Sequence, residues 1–331
     1  MSEKIYALTG ATGHVGFALL KEMLANGDKT RIILRKDPGY FEGMDVEKVK
    51  GDVTDYDSLL KAFEGCEVVY HVAGCVEIKE GYEDMIYKIN VDGTVNVVKA
   101  CIACGVKRLV YMSSVDTYVP LPDNQVMTET YDYDPAKLEG AYAKTKAEAT
   151  KYVLDNQGNN GLDVVVVQPA ACMGPYDFKV SSVGSMIRMF MSGKFPITLT
   201  FGGYNFVDVR DVALLTRAAA LKGIPGSCYI ACNQMCSVDE FIKLLAKAAG
   251  NKEPKIGIGY KLCYSFAPIM EFYYKKADQT PLFTRYSIRK LCSNCNFSYE
   301  KAAKELDYKP RPLLESLQDT VAWIRETEKK K

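Results

Sequence analysis

Tyr142 and Lys146 stand four residues apart in the stretch Tyr142-Ala143-Lys144-Thr145-Lys146. In a helix that spacing puts both on one face. A lysine cation beside a phenol favours phenolate, so the pair predicts a lowered tyrosine pKa and a general acid or base competent near neutral pH. Alone, such a pair is common on helix surfaces. Upstream, however, Tyr111-Met112-Ser113-Ser114 closes an apolar run that reads as a buried strand. A serine hydroxyl at the carboxyl end of such a strand could hold a substrate oxygen against Tyr142. Ser114 is the preferred residue, and Ser113 stands as the alternative.

A second set of residues points to a bound dinucleotide. Thr9-Gly10-Ala11-Thr12-Gly13-His14-Val15-Gly16 follows the first apolar strand and opens a helical pattern. Gly10 permits the tight turn, Gly13 lets backbone approach a pyrophosphate, and Gly16 lets the helix pack on the sheet. The free N–H groups of the helix start then face the phosphates. Thr12, His14 and Val15 belong to the same turn. The next strand ends in Arg35-Lys36, where an NAD site would place a carboxylate for the ribose 2′-hydroxyl. Two cations there favour the 2′-phosphate of NADP(H). Asp37 follows a residue or two late for the NAD role. Asp52 and Val53 follow the third strand. Asp52 reads as an adenine-amino acceptor or as a turn residue. His71-Val72-Ala73-Gly74 follows the fourth strand, its small residues leaving room for the adenosine ribose, and His71 itself reads as structural.

These residues need a scaffold that brings strand ends together, and the pattern supplies one. Short apolar strands at Ile5–Leu8, Arg31–Leu34, Glu47–Lys50, Val68–His71, Arg108–Met112 and Val164–Val167 alternate with helical stretches at 13–26, 56–63, 84–104 and 139–156. Buried strands alternating with helices predict an α/β fold with a doubly wound parallel Rossmann sheet. After Pro169 glycine, proline and aromatic residues become frequent, and two helices stay clear, Val238–Ala249 and Leu314–Glu326. The expected organisation is a dinucleotide-binding domain over residues 1–170, with return segments from the second half, and a smaller substrate-binding lobe over residues 171–331.

The combination of glycine turn, strand-end Ser113-Ser114 and Tyr142-x-x-x-Lys146 resembles the extended short-chain dehydrogenase/reductase family. Asn90-Val91-Asp92-Gly93-Thr94, the Pro169 to Gly174-Pro175 segment and Phe206-Val207-Asp208-Val209-Arg210-Asp211 support the likeness in order. The run from Phe297-Ser298-Tyr299 through Tyr308-Lys309-Pro310-Arg311-Pro312 to Trp323 is similar to dihydroflavonol reductase-like and 3β-hydroxysteroid dehydrogenase-like members. The resemblance implies that Ser114 orients a carbonyl, Tyr142 exchanges its proton, and Lys146 holds the nicotinamide ribose and tunes Tyr142. Pro169 joins the cofactor site on the same basis, and the family's S-x-x-x-Y pattern favours Ser114 because Tyr118 follows it. Nucleotide-sugar epimerases and dehydratases share this set. They tend to carry Asn where this chain has Ala171, and dehydratases carry a T-D-E where it has Ser114-Val115-Asp116. A non-catalytic dinucleotide-binding regulator, the third class, often loses the Tyr or Lys that this chain keeps.

Composition narrows the partners. The 331 residues carry 42 Lys+Arg against 41 Asp+Glu, so no net field draws in nucleic acid or an anionic membrane. No apolar run reaches transmembrane length. The aromatic-rich stretch 256–274 reads first as a lid or pocket wall and second as a surface-lying membrane segment. Eleven cysteines without a signal peptide predict reduced thiols in a cytoplasm. Cys101/Cys104 and Cys292/Cys295 lie too far apart for one zinc site and read as small core residues, so no metal is expected. The expected partners are a small-molecule substrate and a second copy in a homodimer. Met186, Met189, Phe190, Met191, Phe195, Tyr204, Phe206, Tyr264 and Phe266 suit an apolar or aromatic ketone or aldehyde, with a hydroxysteroid/ketosteroid preferred.

Overall fold

The structure, a computed structural model, describes residues 4–76, 81–123, 125–193, 197–276 and 284–329, and for 271–276 and 286 only their place in a helix. Phe195 and the side chains of Phe272, Tyr273 and Tyr274 lie outside the described residues. The strands in chain order are β1 (Ile5–Thr9), β2 (Lys29–Leu34), β3 (Glu47–Lys50), β4 (Cys66–His71), β5 (Arg108–Met112), β6 (Asp163–Pro169), β7 (Ala171–Met173), β8 (Ile197–Leu199), β9 (Gly203–Asp208), β10 (Cys228–Ala231), β11 (Met235–Ser237) and β12 (Ile256–Ile258). The helices are α1 (His14–Ala25), α2 (Tyr56–Phe63), α3 (Glu83–Tyr87), α4 (Gly93–Ala103), α5 (Ala141–Asp155), α6 (Ser182–Met191), α7 (Val209–Lys222), α8 (Val238–Ala249), α9 (Tyr260–Lys276), α10 (Arg285–Leu291), α11 (Glu300–Leu306) and α12 (Leu313–Glu328).

Seven strands form one parallel sheet in the order β10-β6-β5-β4-β1-β2-β3. The order reverses between β1 and β4, which is where ligands bind in such sheets. Helices cover both faces, which explains why Val164, Val165, Val166 and Val167 of β6 are all fully buried. The doubly wound Rossmann fold expected from the alternating pattern is therefore the fold of this chain.

Two expectations were incomplete. The long helix expected over 84–104 is interrupted by a π-helical turn, Lys88–Asp92, which turns Asn90 into the interior. The second half also returns to the sheet through α7 and β10, neither of which the irregular composition after Pro169 suggested. The signal for α7 was present in the sequence. Asp208 caps its start by accepting from the Arg210 N–H at 2.8 Å, and Val209, Val212, Ala213, Thr216 and Ala219 bury at helical spacing. α7 packs along α1 and so backs the helix that follows the glycine turn.

A second apolar cluster, apart from the sheet's core, gathers Met173, Ile187, Phe190, Phe206, Phe241, Leu245, Leu317 and Val321 from β7, β9, α6, α8 and α12. Phe190 and Phe206 are core residues here and are withdrawn from any pocket wall. The two motifs at 206–213 and 308–312 meet in one ion cluster. Arg311 binds the buried Asp211 through its backbone N–H, its Nε and a terminal nitrogen, each at 2.8 Å. Removing the guanidinium strands a carboxylate that is 2% exposed. Arg311→Met should therefore lose about 3–5 kcal/mol of stability. Urea unfolding of the variant checks this, and an unchanged midpoint contradicts it.

Candidate active site

Steric contacts fix the glycine turn. Gly10 has φ +79°, and a Cβ there would come within 2.5 Å of the Ala73 nitrogen. A Cβ on Gly16 would overlap the Gly10 carbonyl. A Cβ on Gly13 would meet only that carbonyl, at 3.3 Å, so its outer side is open. No side chain caps α1 and no acid sits in its first turn, which leaves the N–H groups of His14, Val15 and Gly16 free for an anion. The turn therefore fits a dinucleotide pyrophosphate.

Behind the turn, β1 and β4 are joined through His71. The Ala73 N–H donates to Thr9 Oγ1 at 3.2 Å, and Thr9 meets His71 Nδ1 at 2.9 Å. His71 Nε2 meets Thr94 Oγ1 at 3.1 Å, and that hydroxyl donates to the Asn90 carbonyl at 2.6 Å. The chain of donors assigns the imidazole proton to Nε2. Burial lowers the His71 pKa to about 3, with the Lys146 charge adding to it. Both ring nitrogens are used. His71, read from the sequence as structural, and the buried Pro169, which pairs with Ala231 in the sheet, thus have only backbone to offer a cofactor. His14 donates from Nε2 to the Pro175 carbonyl at 2.9 Å, and burial lowers its pKa despite the nearby Asp177 charge.

At the adenosine end, Arg35 and Lys36 are exposed. Arg35 lines a cleft with Lys50, Gly51, Asp52 and Ser58. Asp37 is turned away: it accepts from Lys48 and from the Gly39 N–H, each at 2.8 Å. Asp52 folds into its own turn, accepting from the Thr54 N–H at 2.9 Å and hydroxyl at 3.0 Å. Val53 is buried against Gly93.

At the sheet's centre Ser113 and Ser114 separate clearly. Ser113 is buried against Thr150, with 2.6 Å between hydroxyls. Ser114 caps the following turn and lies beside the Tyr142 phenol, where its hydroxyl favours the phenolate. Ser114, and not Ser113, therefore meets Tyr142. Lys146 is 4% exposed, donates to the Met112 carbonyl at 2.5 Å and lies 4.3 Å above the Tyr111 ring. Burial lowers its pKa to about 7. The lowered tyrosine pKa expected from the sequence is not found. Burial raises the Tyr142 pKa well above its ordinary value, the Asp116 charge adds to that, and the Ser114 hydroxyl opposes it. The Lys146 ammonium directs one N–H at the Met112 carbonyl, and at Tyr142 burial prevails. Asn90, marked in the sequence only as part of the Asn90–Thr94 likeness, acquires a role here. Its amide clamps the backbone of Cys75 and the hydroxyl of Thr145, joining the loop after β4 to α5.

Comparison with known proteins agrees with this geometry. Residues 6–230 match the NAD dependent epimerase/dehydratase family. The chain is 32% identical to sterol demethylase protein B of Methylococcus capsulatus, over 96% of this chain and 98% of that one. It is 28% identical to a putative dihydroflavonol 4-reductase of Synechocystis, over 97% and 94%. The crystal structure of gox2253 superposes with a TM-score of 0.84 at 29% identity over 98% of both chains. The chain belongs to the NAD dependent epimerase/dehydratase family, as an extended short-chain dehydrogenase/reductase of the dihydroflavonol reductase-like and 3β-hydroxysteroid dehydrogenase-like branch. That family is enzymatic and binds a nicotinamide dinucleotide. Among the described residues no helix is long and apolar enough to cross a membrane.

His14 and His71 are the chain's two histidines, and both have lowered pKa values. Below about pH 6.5 the unfolded chain gains protons that the folded chain refuses, so stability falls as pH drops from 6.5 toward 3. Each histidine contributes up to about 1.4 kcal/mol per pH unit in that window. Lys146, its pKa lowered to about 7, titrates in the same window with the same sign, so urea unfolding should show a loss of about 3 kcal/mol between pH 7.5 and 5.5. His71→Gln should reduce that difference by about 1.4 kcal/mol, and a wild-type stability flat across this range would refute the buried neutral assignment.

Proposed function

We propose that this protein is an NADP(H)-dependent oxidoreductase that interconverts a ketone or aldehyde and an alcohol on an apolar substrate, a hydroxysteroid/ketosteroid being preferred. The observation that carries the proposal is the meeting of Ser114, Tyr142 and Lys146 at the carboxyl ends of β4 and β5, beside the glycine turn. The nicotinamide, when bound, supplies or takes the hydride. Ser114 donates a hydrogen bond to the substrate oxygen and polarises it. Tyr142, its proton retained by burial, delivers that proton to the same oxygen as negative charge develops, and takes one back in the reverse direction. Lys146 lies within reach of Gly74, where it holds the nicotinamide ribose. Arg35 and Lys36 hold the 2′-phosphate. The capture of Asp37 by Lys48 supports NADP(H) over NAD, because the nearest carboxylate is already engaged.

Two features support an apolar substrate. Lys290 of α10 pairs with Asp116, two residues after Ser114, at 2.8 Å, and α9 packs on α10. α9 exposes Leu262, Phe266 and Ile269 along one stripe. The sterol in the name of the Methylococcus relative points the same way. Against a nucleotide-sugar substrate stand Ala171 and Val115, at positions where a sugar-nucleotide site would present polar groups.

A panel of steroid and aryl ketones beside UDP-sugars, each with NADPH and NADH, decides among these. Tyr142→Phe should reduce kcat at least roughly 10³-fold. NADPH binding should stay within about twofold in the same variant. Retained turnover would exclude Tyr142 as the proton donor. Arg35→Ala should weaken NADPH by roughly 10- to 100-fold, the worth of a charge-assisted hydrogen bond, and leave NADH binding unchanged. Equal losses for both would exclude the 2′-phosphate role.

A further inference from the structure

A cation that no sequence spacing announces reaches the glycine turn. Lys179 lies in the segment between β7 and α6, and its Nζ donates to Thr12 Oγ1 at 3.2 Å across 167 residues of chain. It is exposed and makes no ion pair among the described residues.

The segment that carries Lys179 is held in a costly conformation. Tyr176 has φ +75° and Val180 φ +53°. A β-branched residue in the left-handed region is a true outlier, and each such position costs about 1–3 kcal/mol. Specific contacts hold it there. Phe178 stacks on Tyr40 at 4.5 Å and meets Phe17 and Trp323 edge-on at 5.0 and 5.4 Å. Tyr176 packs on Phe17, and the Pro175 carbonyl accepts from His14 of the glycine turn. Asp177, the segment's acid, is 4% exposed and accepts from the N–H and hydroxyl of Ser181. Strain and packing together deliver one free charge, the Lys179 ammonium, to the start of α1.

That destination is electrostatically adverse for a cation. A helix N-terminus carries partial positive charge, and α1 has no acid in its first turn to offset it. Lys179 and the α1 N–H groups therefore converge as two positive features, and the group that satisfies both is an anion between them. We infer that Lys179 clamps the pyrophosphate of the nicotinamide dinucleotide from the side opposite the helix. The inference rests on the dinucleotide reading of this turn. It assigns the pyrophosphate to Lys179 and leaves the 2′-phosphate to Arg35.

Calorimetric titration of the full chain with NADPH and with NADH tests the assignment. Lys179→Gln should raise Kd for both dinucleotides by the same factor, roughly tenfold. Lys179→Arg should restore most of that loss. Without ligand, Lys179→Gln should melt within about 2 °C of wild type, since it removes only an exposed hydrogen bond. Its melting-temperature rise on adding NADPH should shrink. Unchanged Kd values in Lys179→Gln overturn the clamp. So does a loss confined to NADPH, which would move Lys179 to the 2′-phosphate. A wild-type chain that binds neither dinucleotide sinks the proposed function itself, and the clamp with it.

Discussion

The cofactor half of this fold depends on one steric constraint, the approach of Gly10 to Ala73 with no space for a Cβ between them. It brings the first strand's turn against the end of β4. That proximity lets Thr9 bond His71, lets His71 reach Thr94, and ties the π-helical turn to the sheet. Asn90, on that turn, then holds the loop after β4 against α5, the helix that carries Tyr142 and Lys146. The glycine turn and α5 are thus joined by a continuous run of hydrogen bonds. Such a run holds the two in a fixed relation.

Burial acts on the two titrating groups in opposite directions. Burial costs Lys146 proton affinity, while Tyr142 gains it. The sequence alone suggested a lysine that makes its tyrosine more acidic. The structure gives a tyrosine that keeps its proton at neutral pH and a lysine poised near its own midpoint. That pairing suits delivery of a proton to a developing alkoxide. The difference arises because a Y-x-x-x-K spacing fixes the helix face but says nothing of how dry that face is, or that the Met112 carbonyl engages the ammonium.

What was legible in the sequence was local. The glycine spacing, the alternation of strands and helices, and the strand-end serines are encoded within a few residues of one another, and each has its counterpart in the sheet. What was not legible depends on long-range partners. The capture of Asp37 is made by Lys48, the burial of both His71 nitrogens by Thr9 and Thr94, and the engagement of Ser113 by Thr150. Lys179 is separated from its turn by most of the first domain-length of chain. α7 is a different case: its cap and apolar spacing were present but lay among glycine- and aromatic-rich flanks that disguised them.

An ion pair joins α10 to the turn that follows Ser114. The Asp116 carboxylate is one of the charges that raise the Tyr142 pKa, and Lys290 of α10 sits 2.8 Å from it. Both partners are about one-third exposed, so solvent screens the pair and holds it loosely. With Lys290 in place, the negative charge beside Tyr142 is partly cancelled, so the electrostatic influence of α10 extends to the phenol.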